Sequence, residues 1–326
     1  MRHGRVRDRF PSELPLVQSS PLKGTYLYGG PLKVHFGHVI VDSIIRLWAF
    51  DRRRHKGVVF AFFPRPVDVV PNWFFDVVSL FGVMRDDVYI IREPTIVETL
   101  EFFEPGSRLG STPHNWYLHY LESLPIVKTS RTPKNIYFGR THILHRGAML
   151  GERYFGRLLE ESGFQYVKPE HHDIHTQVSM IENADRIVFA EGSSIYSAEL
   201  LPRTKARIFM IPRRKTGEKI FASTLRPRGS FTVLGKPDTL IDGLNRRGLN
   251  HADCPSYIRD PEALHADMVQ HGLIDGRPFS DQAFREAERI DFLTYYKDID
   301  QSYARNFSKL SGWVEYVRNL FQRKKT

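Results

Sequence analysis

At 326 residues the chain is long enough for two domains with a core each. Its 41% hydrophobic and 26% charged content is that of a folded chain rather than a disordered one. A single cysteine, Cys254, excludes an internal disulfide and any thiolate zinc cluster, and fits a reducing compartment. No apolar run approaches the roughly 18 residues a membrane span needs. The net charge of +10 and a pI near 9.6 favour anionic partners: a nucleotide, nucleic acid, an anionic lipid surface or an acidic polymer. No zinc finger, RNP-like segment or basic-aromatic repeat is present, so nucleic acid is not the expected partner.

In chain order, the basic N-terminus (MRHGRVRDRFPSELP) lacks an apolar segment and is not expected to be a secretory leader. Residues 1–27 read as an arm, and Tyr28 to Lys33 as a turn-rich loop. His35 to Asp51 has the apolar stripe of a helix, through Val39, Ile40, Ile44, Leu47 and Trp48. Strands are predicted at Gly57 to Phe63, Asp87 to Ile91 and Ile96 to Leu100, and helices at Asn72 to Phe81 and Asn115 to Glu122. Two prolines among polar residues place a domain linker at Ser123 to Pro133.

The alternation then restarts. Strands are predicted at Asn135 to Phe138, Phe164 to Val167, Arg186 to Ala190 and Arg207 to Ile211. Helices fall between them at Glu152 to Ser162, with Gly163 as C-cap, at Ile174 to Ala184, and at Ile195 to Leu201. That order is a doubly wound parallel sheet. Phe231 to Leu244 reads as one more strand and a helix, and the chain from Pro261 as polar helices. The expected domains are 1–27, 28–125, 126–250 and 251–326.

Three groups of residues carry candidate chemistry. Asn183 to Pro202 reads as strand, Gly-Ser-Ser turn and helix. Such a turn aims backbone N–H groups and two hydroxyls at one spot suited to a phosphate, and it is also the form of an ordinary βα turn with a serine N-cap. His38 and Asp42, four apart, share a helix face, where the carboxylate would orient the imidazole as a general base, with His35 a second candidate. Arg140 ends a predicted strand, where an open α/β sheet binds ligands and a guanidinium clamps a diphosphate; Arg146 and Arg153 lie near. Glu191 and Glu199 flank the turn, and one carboxylate could accept sugar hydroxyls. His171, His172, Asp173 and His175 form a polar cluster whose adjacent histidines point apart, so no metal is expected there.

FGHVIVDSIIRLW, IYFGRTHILHRGAMLGERYFGRLLEESGFQYVKPE and TQVSMIENADRIVFAEGSSIYSAELL together resemble the glycosyltransferase family 61 pattern, over roughly Gly30 to Pro212. The family includes bacterial capsular polysaccharide biosynthesis proteins. The resemblance implies a GT-B-like α/β fold: two Rossmann-like domains facing a cleft, here followed by C-terminal helices from Pro261 that lie outside the match. It implies an inverting, metal-independent transfer from a nucleotide-sugar to a glycan or lipid-linked glycan, with no cofactor. Carried over, His38 and Asp42 are catalytic on the acceptor side, while Arg140, Gly192, Ser193 and Ser194 bind the donor, with Glu191 and Glu199 beside them. Many members have His-Gly-Ala-Gly in the turn; this chain has Glu191-Gly192-Ser193-Ser194. A cytoplasmic enzyme at the inner face of the membrane is expected, with the basic helix Trp313 to Arg323 either on anionic lipid or against the first domain. The rival expectation is a non-catalytic nucleotide- or sugar-binding protein of polysaccharide assembly.

Overall fold

Apolar residues that alternate between two faces build the larger of two parallel sheets among the described residues. The computed structural model describes residues 17, 20–62, 69–126, 132–243 and 253–303, with side chains through 295. Strands β5 (Asn135–Phe138), β6 (Gln165–Val167), β7 (Arg186–Ala190), β8 (Arg207–Ile211) and β9 (Phe231–Val233) pair in the order β6-β5-β7-β8-β9, all parallel. Ile136, Phe138, Ile187, Phe189, Ile208 and Met210 enter one core, while Tyr137, Val188, Phe209 and Ile211 enter another on the opposite face. A sheet covered on both faces needs such nearly continuous apolar strands.

The smaller sheet precedes it in the chain. Its strands are β1 (Leu22–Leu32), β2 (Gly57–Phe62), β3 (Val88–Ile91) and β4 (Val97–Glu101), parallel in the order β3-β2-β1-β4. The strand β1 corrects the predicted arm and loop at residues 1–27 and 28–33. Gly-Gly-Pro there is no turn. Gly30 takes a φ of +109° beside a register shift between Tyr28 and Gly30, so the strand bulges and continues. Pro31 is tolerated because β4 pairs with β1 only as far as Leu27, and Ser43 Oγ donates to the Pro31 carbonyl at 2.6 Å.

Each sheet reverses its strand order once, between β1 and β4 in the first and between β5 and β7 in the second. The helical segment after β1 runs α1 (Phe36–His38), a π-turn Val39–Ser43 and a 3-10 turn Ile44–Ala49. With α2 (Asn72–Ser79), α3 (Asn115–Glu122) and α5 (Ile174–Asn183) it joins both sheets through one continuous core. The opposite face of the second sheet is covered by α4 (Glu152–Glu161), α7 (Pro261–Gln270) and α8 (Asp281–Tyr303). The helix α6 (Gly217–Leu225) precedes β9.

Two further expectations change. Ser193–Leu200 is a 3-10 helix rather than an α-helix. The helix expected after β9 is instead a short 3-10 turn, Pro237–Thr239, and a strand β10 (Leu240–Asp242) paired antiparallel with β11 (Ser256–Ile258). The basic helix at 313–323 and residues 127–131 of the predicted linker lie outside the described residues.

Phe138 and Phe189, on adjacent strands, stack with ring centroids 4.8 Å apart, both fully buried. Phe189→Ala is expected to cost about 3–5 kcal/mol, read as a lower midpoint in urea unfolding; an unmoved midpoint would remove this pair from the supporting core.

Candidate functional site

The carboxyl edge of the second sheet gathers three arginines around one carboxylate. Arg140 lies just past β5, Glu191 just past β7, and Arg213 and Arg214 just past β8. The Glu191 carboxylate is fully buried. It accepts from the Arg213 backbone N–H at 2.8 Å, from the Arg214 N–H at 3.0 Å and from Arg214 Nε at 2.5 Å. Arg213 Nε donates to the Glu191 carbonyl at 2.9 Å. Gly217 leaves room for the carboxylate, since a Cβ there would stand 2.5 Å from Oε2.

Arg140 is held as firmly. Its Nε donates to the Gly147 carbonyl at 3.0 Å and a terminal nitrogen to the Arg146 carbonyl at 2.9 Å. Its other terminal nitrogen faces Gly192, where any Cβ would collide with it. Burial pushes the Arg213 guanidinium down to about 10; Arg214 and Arg140 add to that push, and Glu191 and Asp253 oppose it. Burial likewise lowers Arg140, against Glu152 and Glu191. A site with three cations and few anions is electrostatically prepared for a further negative charge.

The first sheet brings a second group to the same place. The chain leaves β1 at Leu32, and His38 lies six residues on, in the first helical turn. His38 Nδ1 stands 2.7 Å from an Asp42 carboxylate oxygen, as i, i+4 neighbours on that segment. Both side chains keep partial exposure, 23% and 16%. Gly37, the residue before, seats the segment on the serine bend. A Cβ at Gly37 would lie 2.8 Å from the Tyr196 ring and 3.3 Å from Ser193 Cβ. The His38–Asp42 pair, the bend and the Arg140 cluster are thus contiguous.

Of the residues singled out in the sequence, His38, Asp42, Arg140, Glu191, Gly192 and Ser193 converge. Glu191, however, spends its carboxylate on the arginine backbone and side chain rather than presenting it outward. Ser194 is buried and Ser193 only partly exposed, because the first lobe's helix covers the bend. The 3-10 helix starts at Ser193 with Gly192 as its N-cap and no side-chain cap, so the serine is not an N-cap.

Glu199 is elsewhere: it is buried on the α6 side near Arg228, which donates to the Glu199 carbonyl at 3.1 Å and to those of Leu201 and Thr224. Burial raises its pKa, against the nearby Arg228. Arg146 contributes its carbonyl only, and Arg153 pairs with Asp291 of α8 at 3.0 Å. Asp173 caps α5 by accepting from the Thr176 N–H at 2.7 Å. Arg213 and Arg214 were not singled out, although Pro212-Arg213-Arg214 follows a predicted strand and the logic applied to Arg140 applies to them.

Neither of two comparisons supplies a relative: no family model matches this chain, and no curated protein matches it.

Glu152, fully buried, accepts from Tyr137 Oη at 2.7 Å and from the Arg140 N–H at 2.6 Å. Burial raises its pKa from 4.5 to about 7. The native state therefore holds a proton that the unfolded chain has released. That contribution is present in full below about pH 4.5 and is lost as pH rises through 7, amounting to about 3 kcal/mol. Wild-type stability, measured by urea unfolding, should fall over that window, and Glu152→Gln, which keeps both acceptor bonds, should flatten the fall. An unchanged slope would show that Glu152 is not the titrating group.

Proposed function

We propose that this chain is a glycosyltransferase of the family 61 type, moving a sugar from a nucleotide-sugar to a hydroxyl of a glycan or lipid-linked glycan in bacterial capsule or surface polysaccharide synthesis. The observation that carries the proposal is the contact of the His38–Asp42 pair's helix with the bend beside the Arg140, Arg213 and Arg214 cluster. A base and an anion site meet there, each at the carboxyl edge of a parallel sheet, where open α/β sheets bind ligands. Two such lobes in contact suit a GT-B arrangement.

In the proposed reaction the donor diphosphate lies on the arginines. With Nδ1 held on Asp42, His38 Nε2 takes the proton of the acceptor hydroxyl. The acceptor oxygen forms a bond to the anomeric carbon as the bond to the diphosphate breaks. The diphosphate leaves with the electron pair, and inversion follows from attack opposite the leaving group. Fixed cations around a developing charge supply the larger part of the acceleration, and the base about 10²–10⁴-fold. The seat of Glu199, buried near Arg228 on the α6 side, favours this scheme over a retaining one built on paired glutamates. No metal or cofactor takes part in the scheme.

Among the described residues no helix is long and apolar enough to cross a membrane. A cytoplasmic enzyme at the membrane's inner face remains part of the proposal. The enclosure of Ser194 favours one second reading, a nucleotide- or sugar-binding protein without turnover.

His38→Ala should lower release of nucleoside diphosphate from a nucleotide-sugar, in the presence of acceptor glycan, by about 10²–10⁴-fold while leaving nucleotide affinity within about twofold. Equal turnover by the variant removes His38 from the mechanism. Binding without turnover in the wild type selects the second reading.

A further inference from the structure

On the β6 side of the same sheet edge, four side chains form a hydrogen-bonded chain that the anion site does not use. His142 lies four residues past the end of β5, and Glu170 three past the end of β6. The Glu170 carboxylate bonds His142 Nε2. His142 Nδ1 stands 2.7 Å from Tyr166 Oη, which is also 3.2 Å from Thr141 Oγ1. With the Glu170 carboxylate as acceptor the order is determined: Nε2–H donates to the carboxylate, Nδ1 accepts from the Tyr166 hydroxyl, and Tyr166 accepts from Thr141. Burial lowers the His142 pKa, in keeping with a neutral ring. Burial also raises Tyr166 to about 12, so its phenol stays protonated.

Such a chain fixes the Glu170 carboxylate from one side only. The other side is open, with 44% of the side chain exposed. A held carboxylate with a free approach takes two neighbouring hydroxyls as donors. Its position selects the diol. Adjacent strands are about 4.8 Å apart, so Glu170 lies roughly one strand beyond Arg140 along the edge. A nucleotide with its diphosphate on Arg140 and Arg214 places its ribose about that far along. Toward β8 the edge is occupied by Arg213 and Arg214, which leaves the β6 side for the nucleoside.

Resting on the nucleotide-sugar reading above, we infer that Glu170, oriented by His142 and Tyr166, binds the ribose cis-diol of the donor. The donor is then a ribonucleoside diphosphate sugar and not a 2′-deoxyribonucleoside one.

Titration calorimetry with pyrophosphate, with the adenine, guanine, cytosine and uracil ribonucleoside diphosphates, and with the 2′-deoxy form of the tightest binder tests this. The wild type should prefer the ribonucleotide by about 10- to 100-fold, the range for a hydrogen bond to a charged group. In Glu170→Ala the preference should fall below about threefold while pyrophosphate binds as before. If the alanine variant loses pyrophosphate binding, the isosteric Glu170→Gln takes its place, with the same expectation. Binding of ribo and deoxy forms with equal affinity by the wild type overturns the ribose inference alone, as does full preference retained without the carboxylate. Failure of pyrophosphate and every nucleotide to bind overturns the anion site as well.

Discussion

The arrangement depends on one buried carboxylate. Glu191 is the anion that allows Arg213 and Arg214 to stand beside Arg140. Two like charges roughly 5 Å apart repel by about 3 kcal/mol at the effective dielectric of a protein surface. Without a central carboxylate the cluster would splay into solvent. With it, the charge is offset only in part, and the guanidinium groups stay fixed by backbone partners: Gly147 and Arg146 carbonyls for Arg140, the Glu191 carbonyl for Arg213. A site whose dipoles and cations are already placed needs no reorganisation when a negative charge arrives. The carboxylate that reads in sequence as a sugar ligand therefore acts one step back, on the groups that would hold the ligand.

The same economy of space joins the two lobes. Gly37 packs against the bend and Gly192 lies within it, one against Tyr196 and Ser193 and the other against Arg140. At both positions a methyl group would push apart elements that carry the candidate chemistry. The close approach also explains the enclosure of the bend. The helix that brings His38 in packs on Ser193 and Tyr196, Ser194 is buried, and Arg214 and Ser193 are the more exposed of the anion-facing groups.

Much of this was legible in the sequence because the second sheet is buried on both faces. Asn135–Phe138, Arg186–Ala190 and Arg207–Ile211 are short, nearly continuous apolar runs between polar turns, and each is a strand with those bounds. The central strand of the first sheet was not, because Gly29-Gly30-Pro31 has the local chemistry of a turn; only its pairing with β2, through Gly30 and Pro31, keeps it extended, since β4 pairs with the strand no further than Leu27. His38, Asp42 and Arg140 could be found from helix spacing and strand ends. Glu199 could not be placed, since an α-helix and the tighter 3-10 helix that forms from Ser193 turn its side chain to different faces. The chain Glu170–His142–Tyr166 joins residues up to 28 apart and has no local pattern at all.

The C-terminal helices lie outside both parallel sheets, yet they reach the arginine cluster through a short series of contacts. Asp291 of α8, wholly buried, accepts from the Gly151 and Arg153 backbone N–H groups, and so satisfies the exposed donors at the start of α4. That first turn carries Glu152, whose carboxylate accepts from the Arg140 N–H. Arg140 is therefore positioned from two directions: its side chain by the loop at 146–147, its backbone by a carboxylate that α8 holds in place through α4. Two buried acids, Glu152 and Asp291, both with pKa values raised by burial, are retained where apolar residues would pack more cheaply. Their cost is intelligible as the constraint that keeps Arg140 facing Gly192 rather than solvent.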